Sequence, residues 1–175
     1  MKKLMFLALC LAVATPSFAG FTGTFEKGGT TATVDIIAEV ELYWIGGSHG
    51  GPFGLKVTQG NLGGYGGPAY CLESEAPLDF NTKYYASIDR VAYAGNLTDA
   101  TGDPLSDVTE YIYNANKNAT SGFKEISDSI YYAEEEPDGV KGSSYDAAAF
   151  ALYGNANQDP SLLGDAGNSV AVLNL

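Results

Sequence analysis

Cysteine, histidine and basic residues are all scarce in this chain, and each shortage removes a class of function. There are two cysteines, and Cys10 lies inside an N-terminal apolar run. Once that run is removed as an export leader, Cys71 stands alone, which excludes an intrachain disulfide framework. The single histidine, His49, sits in the glycine-rich stretch Gly46-Gly47-Ser48-His49-Gly50-Gly51. It is the only imidazole available as a base for Cys71, and that stretch offers no rigid support for a catalytic pair. Beyond Leu4–Ala14 no apolar run approaches the roughly 20 residues needed to span a bilayer.

The shortage of positive charge is equally informative. The 9 basic residues fall to 7 when Lys2 and Lys3 leave with the leader, against 21 acidic ones, a balance of −14. Such a surface repels nucleic acid and anionic lipid. Acidic runs such as Asp99, Asp103 and Asp107, or Glu134, Glu135, Glu136 and Asp138, lack the ligand spacing of a calcium loop. They read as caps and solvated surface, and no metal or cofactor is expected.

What the sequence does contain is glycine and aromatic residues, with 22 Gly, 12 Tyr and 8 Phe. That composition suits short strands separated by turns. Met1-Lys2-Lys3, the apolar run and Ser17-Phe18-Ala19 form a secretory signal cleaved after Ala19. Residues 1–19 are therefore leader, and 20–175 form one domain, soluble and exported to the periplasm or medium.

Along the mature chain, Val34, Ile36, Ala38, Val40, Leu42 and Trp44 alternate with polar residues, predicting one strand over Thr31–Ile45. Further strands are expected at Phe53–Val57, Ala69–Glu73 and Tyr84–Val91. Leu105, Val108, Ile112 and Ala115 recur at helical spacing behind Asp103-Pro104, which predicts a helix with Asp103 as N-cap and Pro104 first in line. Phe123, Ile126, Ile130 and Ala133 predict a second helix, and Ser144–Tyr153 a third. Asn168–Leu175 closes the chain as a strand buried on both faces. The expected fold is α+β: a mainly antiparallel β-sandwich or barrel, with a three-helix insertion before a C-terminal strand.

Several stretches occur in a telling order: Phe53–Val57, then Gly63-Gly64-Tyr65-Gly66-Gly67, then Tyr70-Cys71-Leu72-Glu73. Asp103–Asp107, Ile126–Glu136 and Val170–Leu175 follow. This ordered set resembles the thioester-like domains of exported bacterial surface proteins, especially the group associated with PEP-CTERM sorting signals. The resemblance covers nearly the whole mature chain and implies an adhesion module. It places the sulfur of an internal thioester at Cys71 and the acyl-donating glutamine on the second helix, where this chain has Ser127.

Serine has no acyl carbon, so Ser127 cannot close that bond. Glu125 and Asp128, two residues before and one after, point away from the Ser127 face of a helix. The two glutamines of the chain, Gln59 and Gln158, lie outside the motif. The expected function is a secreted or surface-associated, noncatalytic binding module for an extracellular protein or glycan. The alternatives are a covalent adhesin with an active thioester and a Cys71-based enzyme. Tyr70, Tyr131 and Tyr132 are the candidate pocket residues. The family's sorting signal would follow the last strand, and its absence after Leu175 predicts release from the cell.

Overall fold

The computed structural model describes residues 18–27, 30–46, 50–72, 78–93, 102–134, 136 and 170–175. Strands β1 (Phe21–Lys27) and β2 (Thr30–Ile36) pair antiparallel as a two-stranded ribbon. A four-stranded sheet has the order β4-β3-β5-β8, built from β3 (Ala38–Trp44), β4 (Phe53–Gly60), β5 (Lys83–Asp89) and β8 (Val172–Asn174). All of its ladders are antiparallel. Two short strands, β6 (Val91–Ala92) and β7 (Asp103–Pro104), pair with each other. Helices α1 (Asp107–Asn116) and α2 (Phe123–Ala133) follow as a helical hairpin. The molecule is thus α+β with antiparallel sheets. Among the described residues there are two helices, and the expected third, Ser144–Tyr153, lies outside them.

The long strand expected over Thr31–Ile45 is two strands. Ile37 breaks it, donating its N–H to Ala86 O at 2.9 Å and accepting Asn61 N–H at 3.3 Å. At that residue the chain leaves its partner β1 and joins β4 and β5. The alternation does not reveal this because its parity carries through the break: Val34, Ile36, Ala38, Val40 and Leu42 are all buried.

The strand expected at Ala69–Glu73 reduces to one bridge, Phe53 to Ala69, with paired N–H···O bonds of 2.8 Å; Glu73 itself lies outside the described residues. The fourth predicted strand appears as β5, with β6 after Arg90. The closing strand returns to the sheet as expected, Ser87, Ile88 and Asp89 pairing with Asn174, Leu173 and Val172.

Helix α1 starts later than predicted. Asp103-Pro104 is drawn into β7, and Ser106 is the N-cap, its Oγ accepting Thr109 N–H at 3.1 Å. Ser106 wins because a second group holds it in place: Glu134 Oε1, at the end of α2, accepts both its N–H at 3.2 Å and its O–H at 2.7 Å. One carboxylate therefore ties the end of α2 to the start of α1, where the helix dipole favours negative charge.

Among the described residues three apolar clusters form the core. Tyr111 and Ile112 of α1 meet Ile126 and Ile130 of α2, with Tyr70 and Leu72 packed against them. Ala38, Val40, Leu62 and Ala86 fill the sheet, and Ala92, Leu105, Val170 and Val172 join the end of the chain to the start of α1. Beside this last cluster, Arg90 donates to Glu110 at 2.9 Å and to the Val170 carbonyl at 3.3 Å. The C-terminal segment is held by polar as well as apolar contact.

Gly60 marks the place where β4 closes over the β2–β3 break. Its φ is +78°, and a Cβ there would run into Ile37 O and Ala38 Cα, both backbone. Gly63, at φ +66°, faces open space. Gly63→Ala should therefore cost only the left-handed backbone penalty, about 1 kcal/mol. Gly60→Ala should cost more than about 2 kcal/mol, because the clash is added to that penalty. Urea unfolding of the two variants checks the order, and equal losses would remove the close approach at Gly60.

Candidate functional site

Cys71 is placed by the backbone next to it. The Phe53–Ala69 bridge lays 68–71 beside 50–53, and Cys71 N–H then donates to Gly50 O at 2.7 Å. On the far side of Gly50 stands α2. A Cβ on Gly50 would lie 2.6 Å from Tyr131 Oη and 3.1 Å from Ser127 Cβ. At Gly51, which has φ +125°, a Cβ would lie 3.1 Å from the Tyr70 ring. The Gly50-Gly51 backbone is thus a thin wedge between Tyr131 of α2 and Tyr70 beside the thiol. Only glycine combines that thinness with these positive φ angles.

Ser127 and Tyr131 are four residues apart and share one face of α2. The residue on that face that acts on the sulfur is Tyr131, whose phenol lowers the Cys71 thiol against the larger effect of burial. Ser127 is fully buried, one turn earlier, and donates its own O–H to the Phe123 carbonyl at 3.0 Å. Its hydroxyl is spent inside the helix. Of the flanking carboxylates, Glu125 is exposed and Asp128 is bound by Lys124 at 2.9 Å. Gln59 lies at the other end of the sheet, paired with Glu39 on β3. His49 and Gln158 lie outside the described residues.

The three tyrosines named from the sequence do different things. Tyr70 meets Tyr113 of α1 edge-on, with ring centroids 6.3 Å apart, and Tyr113 donates to the Pro68 carbonyl at 2.7 Å. Tyr131 is buried against Gly50 and the thiol, and Tyr132, the next residue, is half-buried. Tyr113 was not singled out in the sequence, and its signal is faint: it is one of three aromatic or apolar residues in Tyr111-Ile112-Tyr113.

Burial pushes the Cys71 thiol up to about 11 from 9.0, against a smaller lowering by the Tyr131 hydrogen bond. Burial also raises Tyr70, with Tyr113 adding to the effect, and burial raises Tyr113. A thiol in this setting is protonated near neutral pH and is a poor nucleophile. Among the described residues no group of three or more His, Cys, Asp or Glu side chains converges to hold a metal ion. The site can hold two chain segments and a helix together, and it contains a sulfur with a phenol beside it and no described carboxamide. No family model, curated protein or solved structure matches this chain.

The raised thiol has consequences with a definite sign. Alkylation of folded protein at pH 8 should run about a hundredfold slower than for an unperturbed cysteine, since the thiolate fraction falls tenfold per pH unit. The rate should climb until about pH 11. Tyr131→Phe removes the lowering hydrogen bond, so the rate should fall further. Because the folded value lies above the unfolded one, the thiol's contribution to stability is complete below pH 9 and lost as pH rises toward 11. Iodoacetamide kinetics across pH check the first three statements, and fast modification at pH 8 would contradict the burial.

Proposed function

We propose that this chain is a noncatalytic binding module, secreted or surface-associated, on a thioester-domain scaffold that has kept the sulfur and lost its acyl partner. The observation that carries the reading is the pairing at Cys71. The helix face where a thioester domain would present an amide carbonyl carries Ser127, bonded within its own helix, and Tyr131, packed with it against Gly50, whose carbonyl accepts the Cys71 N–H. A thioester needs an acyl carbon held against a thiolate. A partly buried, protonated thiol beside a phenol supplies neither half.

The same reading takes the antiparallel sheets as part of a sandwich or barrel, with Ser144–Tyr153 as a third helix of the insertion. It takes residues 1–19 as a cleaved export signal. Among the described residues no helix is long and apolar enough to cross a membrane. The partner is an extracellular protein or glycan, and the acid excess of the surface argues against nucleic acid.

Intact mass spectrometry of the exported protein tests both parts. The expected mass is that of the chain from Gly20 with no ammonia lost and no adduct after methylamine, and Cys71 should react with a thiol reagent only after unfolding. A mass short by one ammonia, with methylamine gained, would establish the covalent adhesin instead. Rapid turnover of an ester or amide substrate abolished by Cys71→Ala would establish the enzyme.

A further inference from the structure

At the end of β3, where Trp44 pairs with Phe53 and Phe53 is bridged to Ala69, three large apolar residues in a row are about half exposed: Tyr43, Trp44 at 47 % and Ile45 at 49 %. Trp44 is the only tryptophan of the chain. Its ring is fixed from two sides, by Phe53 at 5.7 Å and by Phe80 at 5.2 Å in an edge-on contact. Phe53 and Phe80 also touch, at 5.4 Å, so the three rings form one unit with the indole at its surface. A half-exposed indole held this firmly offers a ready-made apolar plane with little ordering left to lose on binding.

The rim is as well fixed as the plane. Asn81, at φ 60°, donates its N–H to the Leu42 carbonyl at 3.1 Å, which anchors the 80–81 turn to β3 two residues before Trp44. Asp79 N–H donates to Tyr84 Oη at 2.7 Å, and the same hydroxyl donates back to Asp79 O at 3.1 Å. This turn exposes Asp79, Asn81 and Thr82 beside Phe80. Short amide, carboxylate and hydroxyl groups on a rigid turn next to an aromatic plane match the two faces of a pyranose. Its axial C–H groups lie on the ring, and its vicinal hydroxyls bond to the rim.

We infer that the Trp44–Phe80 surface with Asn81 is a subsite for a neutral pyranose unit of an extracellular glycan. This rests on the binding-module reading and adds the class of ligand and the place where it docks. Charge selects among glycans: with a net −12 and Asp79 on the rim, polyuronates and sulfated chains are repelled. An anionic membrane is disfavoured on the same ground.

The lone tryptophan makes the experiment direct. Emission of the full mature protein is titrated with neutral oligosaccharides of glucose and of N-acetylglucosamine, with oligogalacturonate, and with phosphatidylcholine vesicles, each to about 10 mM. The expected result is a saturable change with at least one neutral oligosaccharide and none with the uronate. Asn81→Gly removes the rim amide and accommodates the positive φ, so it should weaken binding about fivefold with the circular dichroism unchanged. No response to any neutral oligosaccharide, a response to vesicles alone, or undiminished binding by Asn81→Gly would each overturn the subsite. The mass measurement at Cys71 is independent of Trp44. A lost ammonia there sinks the noncatalytic reading even with sugar bound, whereas a silent titration with intact mass sinks only the subsite.

Discussion

The helical hairpin meets the sheet through two glycines without side chains. Gly50 accepts the Cys71 N–H on one side and receives Tyr131 and Ser127 on the other, so α2, the Gly50-Gly51 backbone and 68–71 stack in contact. A methyl group at Gly50 would overlap the phenol that acts on the sulfur. Thiol burial, the Tyr131 hydrogen bond and the docking of α2 therefore depend on one another. The edge-on pair of Tyr70 with Tyr113 then extends the junction to α1. Such a junction is stiff because close-packed elements have discrete arrangements and do not deform continuously.

Helix α2 can lie in so buried a place because it satisfies its own polar groups. Ser127 and Ser129, both essentially inaccessible, donate to the carbonyls of Phe123 and Glu125 at 3.0 and 2.6 Å, and Asp128 is held by Lys124 one turn away. Each serine thus presents little more than a Cβ to its neighbours. An unbonded hydroxyl in either position would carry a desolvation cost of about 1–3 kcal/mol. The small residue at 127 therefore has a packing role that requires no reactivity. It leaves room for Gly50, and Tyr131 reaches the sulfur from the next turn.

How far this was legible from the sequence depends on which interactions are local. The hydrophobic spacing of Phe123, Ile126, Ile130 and Ala133 marked α2, because a helix face is set by residues three and four apart. The β3–β4 hairpin was legible through alternation of period two, and the final strand through a short run apolar on both faces. The break at Ile37 left no trace, since the partner changes and the parity of buried residues does not. The cap of α1 was misplaced because Ser106 is selected by Glu134, 28 residues away in sequence. At the thiol, Cys71, Ser127 and Tyr131 were all named from the sequence, but which of them touches the sulfur depends on the Gly50 wedge. Two glycines in a run of four within Gly46–Gly51 carry no mark of that duty.

The manner of binding is constrained by the sheet as well. Among the described residues β4 is an edge strand, bridged to Ala69 only at Phe53, and an open edge invites another chain to pair with it. Here the edge is guarded. Lys56 stands in its middle, paired to Glu41 at 2.9 Å, and the ladder slips beside Thr58, where Val57 faces Val40 but Gln59 faces Glu39. Thr58 seals the slip by donating to the Glu39 carboxylate at 2.6 Å, and Gly60 then turns the chain away. A charged residue and a bulge together disfavour backbone pairing with a partner. The proposed subsite accordingly relies on side chains at the end of the sheet, where the indole of Trp44 is held by Phe53 and Phe80.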